Sequence, residues 1–174
     1  ETRKFIKKKV PLEQATRMIR HANKIGLWTI CTYILGFPYE TKEHMRESIR
    51  YSIESGTDMG VFYALMPHPT SDVYPIFKAE GLLDLDPIMD PTNIKGVDDF
   101  AKIGEILSQR GAQTKYCSSE EIEEMLSEAY HDFFKARLKS YILNPLHIAR
   151  KIRSYEDLKY TIQLGRALSS PIKK

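Results

Sequence analysis

Apolar and polar positions alternate along this chain in two different periods, and the switches between them mark its elements. Leu12, Ala15, Met18, Ile19, Ala22 and Ile25 recur at steps of three and four, which predicts a helix with one apolar face. Pro11 suits the first turn of such a helix, where a missing N–H costs nothing, and Gly26 supplies its C′ stop. The unbroken run from Leu27 to Leu35 is rich in β-branched and aromatic residues. With so little alternation, it predicts a strand covered on both faces. A second helix is predicted from an N-cap at Thr41, with Glu43 in the first turn, where the helix dipole favours an anion. Met45, Ile49 and Ile53 give this helix its apolar stripe and Gly56 closes it. Met59 to Met66 then predicts another buried strand, stopped by Pro67 and Pro69.

Helix, strand, helix and strand joined by short links are the signature of parallel βα units. Two strands alone do not make a stable parallel sheet, so further strands are expected from elsewhere. After Gly81 the pattern changes. Residues 84–99, with Pro87, Pro91, Gly96 and several aspartates, read as a connector, and 100–108 as a short helix. Ser118 and Glu121 match a capping box. Beyond them Ile122, Met125, Leu126, Ala129, Phe133, Ala136 and Arg137 keep helical spacing to about Tyr141. Asn144-Pro145 breaks that helix and opens a shorter one. Ser154 caps a last helix, whose expected buried side is Tyr155, Leu158, Ile162 and Leu168. The expected organisation is α/β for residues 1–83, a connector over 84–117, and an all-helical segment over 118–174.

Composition changes this picture little. A chain of 174 residues, 42% hydrophobic and 28% charged, is long enough to bury a real core. It opens on Glu1 and ETRKFIKKKV, without the apolar run of a secretory signal, and reads as a piece cut from a longer protein. No stretch approaches the roughly 20 apolar residues of a membrane span, so a soluble, cytoplasmic chain without a membrane partner is expected. Charge is unevenly placed: residues 75–129 carry a balance of −7 and residues 130–174 one of +7. Two segments of equal and opposite charge screen one another. They do not leave the uncompensated basic face of a nucleic-acid binder, so nucleic acid is not an expected partner. Cys31 and Cys117 stand far apart with no metal-type spacing near either, and both read as free thiols in a reducing compartment.

Candidate chemistry concentrates in two loops. Gly36-Phe37-Pro38-Tyr39-Glu40-Thr41 joins the first predicted strand to a helix, and Pro67-His68-Pro69-Thr70-Ser71-Asp72 follows the second. Parallel α/β sheets bind ligands in such loops, at the C-terminal ends of the strands. Gly36 would let a ligand approach the backbone, and Pro38 stiffens the turn. Glu40 either meets a ligand or interacts favourably with the following helix dipole, and His68 is either a site residue or a surface loop residue. His21, His44, His131 and His147 are isolated on predicted helices and read as structural or solvated. No Ser-His-Asp grouping, phosphate-binding Gly-rich loop or paired carboxylates stand out.

The stretch ILGFPYETKEHMRESIRYSIESG resembles the part of radical S-adenosylmethionine enzymes where the fifth barrel strand ends in a GFPxET-type turn. FYALMPHPTSDVYPIFKAEGLL resembles their sixth strand, which ends in P-x-P-G-T-x-x-Y and a helix. The likeness runs from about Val10 to Leu83, with both motifs in order and correctly spaced. It implies the C-terminal half of a partial (β/α) TIM-like barrel. It also implies that Ile34, Gly36, Phe37, Pro38 and Glu40, with the backbone of Ala64, Leu65 and Met66, belong to the S-adenosylmethionine site. Tyr63, His68 and Thr70 would face substrate. Two departures stand out. Thr70-Ser71 replaces the family's Gly-Thr, and the CxxxCxxC loop that holds the [4Fe-4S] cluster is not in the chain. No catalytic residue or metal ligand is therefore expected here. SSEEIEEMLSEAYHDFFKARLKSYILNPLHIARKIRSYEDLKYTI is similar to the helical C-terminus of radical enzymes with an N-terminal cobalamin-binding domain, which implies cobalamin as a further cofactor of the parent.

The resemblance implies an oxidoreductase or methyltransferase-like parent that cleaves S-adenosylmethionine to a 5′-deoxyadenosyl radical. This chain alone would be inactive, would bind no cofactor, and would have the missing N-terminal half as its partner. An alternative is a non-catalytic binding or assembly module whose half-sheet is completed by a partner, such as a second copy pairing through the exposed edge. A third reading is an unrelated α/β enzyme using Glu40 and His68.

Overall fold

The computed structural model describes residues 6–90, 92–99, 101 and 111–169. The short helix expected over 100–108 falls, Ala101 apart, outside them. In chain order the elements are α1 (Leu12–Lys24), β1 (Ile30–Leu35), α2 (Lys42–Glu54), β2 (Met59–Ala64), α3 (Tyr74–Ala79), α4 (Asp86–Met89), α5 (Ser119–Leu143), α6 (Pro145–Ala149) and α7 (Tyr155–Ser169). The connector after Gly81 thus contains the short turn α4, and residues 97–99 and 101 are helical as well.

Local signals set most of these boundaries. Gly26 takes φ +79°, its N–H donates to the Asn23 carbonyl and Leu27 N–H donates to that of Ala22, a Schellman motif that ends α1. Glu121 N–H donates to Ser118 Oγ at 3.2 Å and Ser118 N–H to Glu121 Oε2 at 2.9 Å, so the capping box opens α5. Asp157 N–H donates to Ser154 Oγ at 3.2 Å before α7.

The two strands pair with each other. Met59 N–H donates to the Thr29 carbonyl and Leu65 N–H to that of Leu35, a constant offset that makes the pair parallel. The chain divides into two compact units, residues 1–31, 49–61 and 130–174 in one and residues 32–48 and 62–129 in the other.

In the first unit a buried carboxylate gathers all three chain segments. Asp58 Oδ2 accepts from Thr29 N–H and Thr29 Oγ1, both at 2.8 Å, and from Lys151 Nζ at 2.7 Å. Tyr141 donates its hydroxyl to Asp58 Oδ1 at 3.2 Å, and His147 Nε2 lies 3.0 Å from the same oxygen. Lys151 spends its other two protons on Asn23 Oδ1 at 2.8 Å and the Leu27 carbonyl at 2.5 Å, with Trp28 beneath the ammonium. All three donors of a buried ammonium are thereby satisfied. Arg137 donates to the Ile53 carbonyl at 3.0 Å, and Gly60 leaves room for the Phe133 ring of α5.

The second unit is built on Leu35, Met45, Phe62, Phe77, Leu85, Ile122 and Met125, all buried. Tyr74, buried in α3, accepts from Leu85 N–H at 2.8 Å and donates to Asp86 at 2.6 Å, which fixes the chain after α3.

Three expectations about burial are corrected. Along β1, Cys31, Tyr33 and Leu35 turn inward while Ile30, Thr32 and Ile34 stay exposed, Ile30 by 62%, so one face of the strand is bare. An unbroken apolar run records β propensity on both faces and does not show which face is packed. On α1, Met18 is 64% exposed, and on α7 Tyr155, Leu158 and Ile162 are exposed. Leu168 lies where side chains are not described. Helical period locates a face and leaves open what covers it. Among the described residues no helix is long and apolar enough to cross a membrane.

The Asp58 cluster yields a prediction. Burial alone would raise the Asp58 carboxyl, but hydrogen bonds from Lys151, His147 and Thr29 hold it below its ordinary value. Lys151→Met strands that charge and is expected to cost about 3–5 kcal/mol at neutral pH, read as a fall in the urea midpoint. A depressed carboxylate stabilises the fold above its unfolded-state pKa. That contribution is lost as pH falls through the lower folded-state value. The gap between wild type and variant should therefore narrow in acid.

Candidate functional site

The site expected from sequence lies at the C-terminal ends of β1 and β2, within the second unit. β1 ends at Leu35, and Gly36 then adopts φ +89°, a conformation in which a side chain would be strained. Phe37 and Pro38 are buried, and Glu40 N–H donates to the Phe37 carbonyl at 2.9 Å. The buried carboxylate of Glu40 turns back on this loop, and its Oε2 accepts from Gly36 N–H at 2.9 Å and Phe37 N–H at 3.1 Å. Glu40 thus acts as a brace, holding a backbone turn ahead of α2. The third reading, with Glu40 and His68 as reacting groups, loses its base, because this carboxylate is buried and committed to two amides.

At the end of β2, Leu65 N–H donates to the Leu35 carbonyl at 2.7 Å, and the Leu65 carbonyl accepts from Ala112 N–H at 3.2 Å. A segment far along the chain therefore continues the hydrogen bonding where the strand stops. Pro67 is buried, and Ser71 closes a turn on the His68 carbonyl through its N–H at 2.9 Å and its Oγ at 2.6 Å. His68 and Thr70 are exposed on that turn.

Tyr33 stacks on Phe62, with ring centroids 5.2 Å apart, on the packed side of the strands. The register puts Ile34 opposite Tyr63 on the other side, where they are 45% and 53% exposed. The structure thus brings together the Gly36 turn, the Ala64–Met66 backbone, Ile34 and Tyr63. His68 and Thr70 extend the rim on their own loop.

Charge around the turns is balanced. Lys42 meets Glu121 at 2.8 Å and Arg46 meets Glu128 at 3.1 Å, exposed pairs that contribute little stability. Hydrogen bonding to Glu121 raises the Lys42 ammonium. Burial pushes the Cys117 thiol up, so it is a poor nucleophile. Among the described residues no three His, Cys, Asp or Glu are grouped to hold a metal ion, and Cys31 and Cys117 are free thiols. A four-iron cluster needs several thiolates, so these residues do not fit one. Sequence reasoning missed one part of this arrangement, the Leu65–Ala112 bond, for which neither segment carries a local signal.

Two βα turns stand side by side at the C-terminal ends of two parallel strands, the position at which α/β sheets in general bind ligands. The chain is similar to an uncharacterized methyltransferase of Pyrococcus horikoshii, 26% identical over 130 residues that cover 75% of this chain and 25% of the relative. The match thus spans about a quarter of that methyltransferase's length. No protein-family model and no solved structure matches the chain.

Glu40→Ala would leave the buried Gly36 and Phe37 amides without their acceptor, at about 1–3 kcal/mol for each. Urea unfolding should show that loss, and hydrogen exchange should place it at those two amides. Glu40→Gln keeps an accepting oxygen and should lose less.

Proposed function

We propose that this chain is the C-terminal part of a radical S-adenosylmethionine barrel in a methyltransferase-like protein, with its two βα turns at the cofactor end. One observation carries the reading: the braced Gly36 turn is joined to the Leu65 segment beside the bare apolar pair Ile34 and Tyr63. The similarity to a methyltransferase supports its methyltransferase-like part alone.

The residues present suit an adenosyl group. Ile34 offers apolar surface to a purine, the backbone of Ala64, Leu65 and Met66 flanks it, and the turn of Gly36, Phe37 and Pro38 forms a wall kept stiff by Glu40. Tyr63, His68 and Thr70 orient substrate from the strand face and the rim. S-Adenosylmethionine, when bound, supplies the methyl or 5′-deoxyadenosyl group; the chain's residues bind it, orient it and keep water out. The iron–sulfur cluster does not fit the described residues, and its ligands are assigned to sequence outside them. Cobalamin enters only through the resemblance of the tail.

The bare face of β1 favours a second reading, a binding or assembly module completed by a partner. The test is to sequence the coding region upstream of Glu1, then express the complete open reading frame with iron and sulfide. We expect a CxxxCxxC segment after a predicted strand, and S-adenosylmethionine cleavage by the complete product but not by this chain alone. An open reading frame without that segment would sink the radical reading. A mass that rises with concentration would then favour assembly.

A further inference from the structure

Ile122, on the first turn of α5, is fully buried and packs against the Gly36 turn and against Gly111, next to the residue that bonds the end of β2. A Cβ placed on Gly36 would lie 3.3 Å from Ile122 Cδ1 and 3.5 Å from its Cγ2, so these two methyls fill the space that a side chain after β1 would need. A Cβ placed on Gly111, which has φ +93°, would lie 3.3 Å from Ile122 Cγ2 and 2.6 Å from Ala64 Cβ. Gly111 directly precedes Ala112, whose N–H takes the Leu65 carbonyl at the end of β2. One side chain thus backs two separate segments, each with a glycine where it approaches: Cδ1 approaches Gly36, and Cγ2 approaches both Gly36 and Gly111. The capping box of Ser118 and Glu121 fixes the start of α5, and the Lys42–Glu121 pair ties that start to the first turn of α2.

We propose that Ile122 is a positioning residue for two segments on the cofactor side: Cδ1 and Cγ2 together set the Gly36 turn, and Cγ2 also sets the Gly111–Ala112 segment that bonds the end of β2. The cofactor part of this inference rests on the proposed function; the positioning part does not. A ligand spanning the two turns meets them at a fixed separation because one β-branched side chain, stiff at χ1, sets both.

The chemistry of isoleucine allows the two contacts to be separated. Ile122→Val removes Cδ1 and keeps Cγ2, whereas Ile122→Leu removes the branch at Cβ. Hydrogen exchange on the product of the complete open reading frame should show Gly36 and Phe37 losing protection by about tenfold in the valine variant, with Ala112 unchanged. The leucine variant, which displaces the methyl that lies near both glycines, should loosen Ala112 as well as Gly36 and Phe37, and the Asp58 amide should stay protected in both. Calorimetric titration with S-adenosylmethionine should show weaker binding in each variant, alongside only the small fall in melting temperature that a buried-methyl change brings. Equal loosening of every amide, or none at either turn, would overturn the positioning role. Retention of the exchange pattern in a protein that does not bind S-adenosylmethionine would uphold the positioning role and defeat the cofactor reading. Selective loosening with full affinity would defeat the link between Ile122 and the cofactor.

Discussion

The buried Asp58 carboxylate is the interaction on which its unit depends. An ionised carboxylate out of water is costly unless donors surround it, and here Thr29, Lys151, His147 and Tyr141 all converge on it. Asp58 directly precedes β2 and Thr29 directly precedes β1. Their bonds therefore begin the ladder that Met59 N–H continues on the Thr29 carbonyl. A register slip of one residue would take the carboxylate off Thr29 and leave the buried Lys151 ammonium without its counter-charge. Polar groups of this kind specify an arrangement more strongly than they stabilise it.

A polar hub and an apolar one organise the two units. Asp58 draws together segments that are up to 93 residues apart in sequence, and Ile122 backs two turns separated by a comparable length of chain. Such convergence explains what could be read from sequence. Gly26, Ser118 with Glu121, Asn144-Pro145 and Ser154 act on backbone within a few residues of themselves, so their effects are legible without the fold. Nothing near Asp58 or Lys151 announces the other, and an isolated lysine beside isoleucine and arginine reads as surface. His147 was read as structural or solvated, and it is structural through an acid far along the chain.

The candidate site was legible in place but not in role. The GFPYET turn and the PHPTSD loop do stand at neighbouring strand ends. The side chains that looked most chemical act otherwise: Glu40 serves its own amides, and the hydrogen bonds of the second loop run to the His68 carbonyl. Proline and glycine in a loop predict a stiff, approachable backbone, which is what these turns offer. A carboxylate four residues after such a glycine has a nearby donor pair before any ligand arrives, and desolvation favours the local partner.

Alternation along the strands carries the last step. Parallel strands are ordinarily covered on both faces. Here Tyr33 and Phe62 stack on one face, while Ile34 and Tyr63 stand open on the other. Apolar side chains at the ends of parallel strands, beside turns held rigid from behind, lower the free energy of whatever planar or apolar surface comes to cover them. A ligand would do so, whereas a further strand would extend the sheet edge beside them, and the two differ in what they need from the turns. A strand satisfies its backbone along the sheet edge and is indifferent to the spacing of two loops. A ligand that spans them is not, and a single buried isoleucine setting that spacing is of use to the ligand.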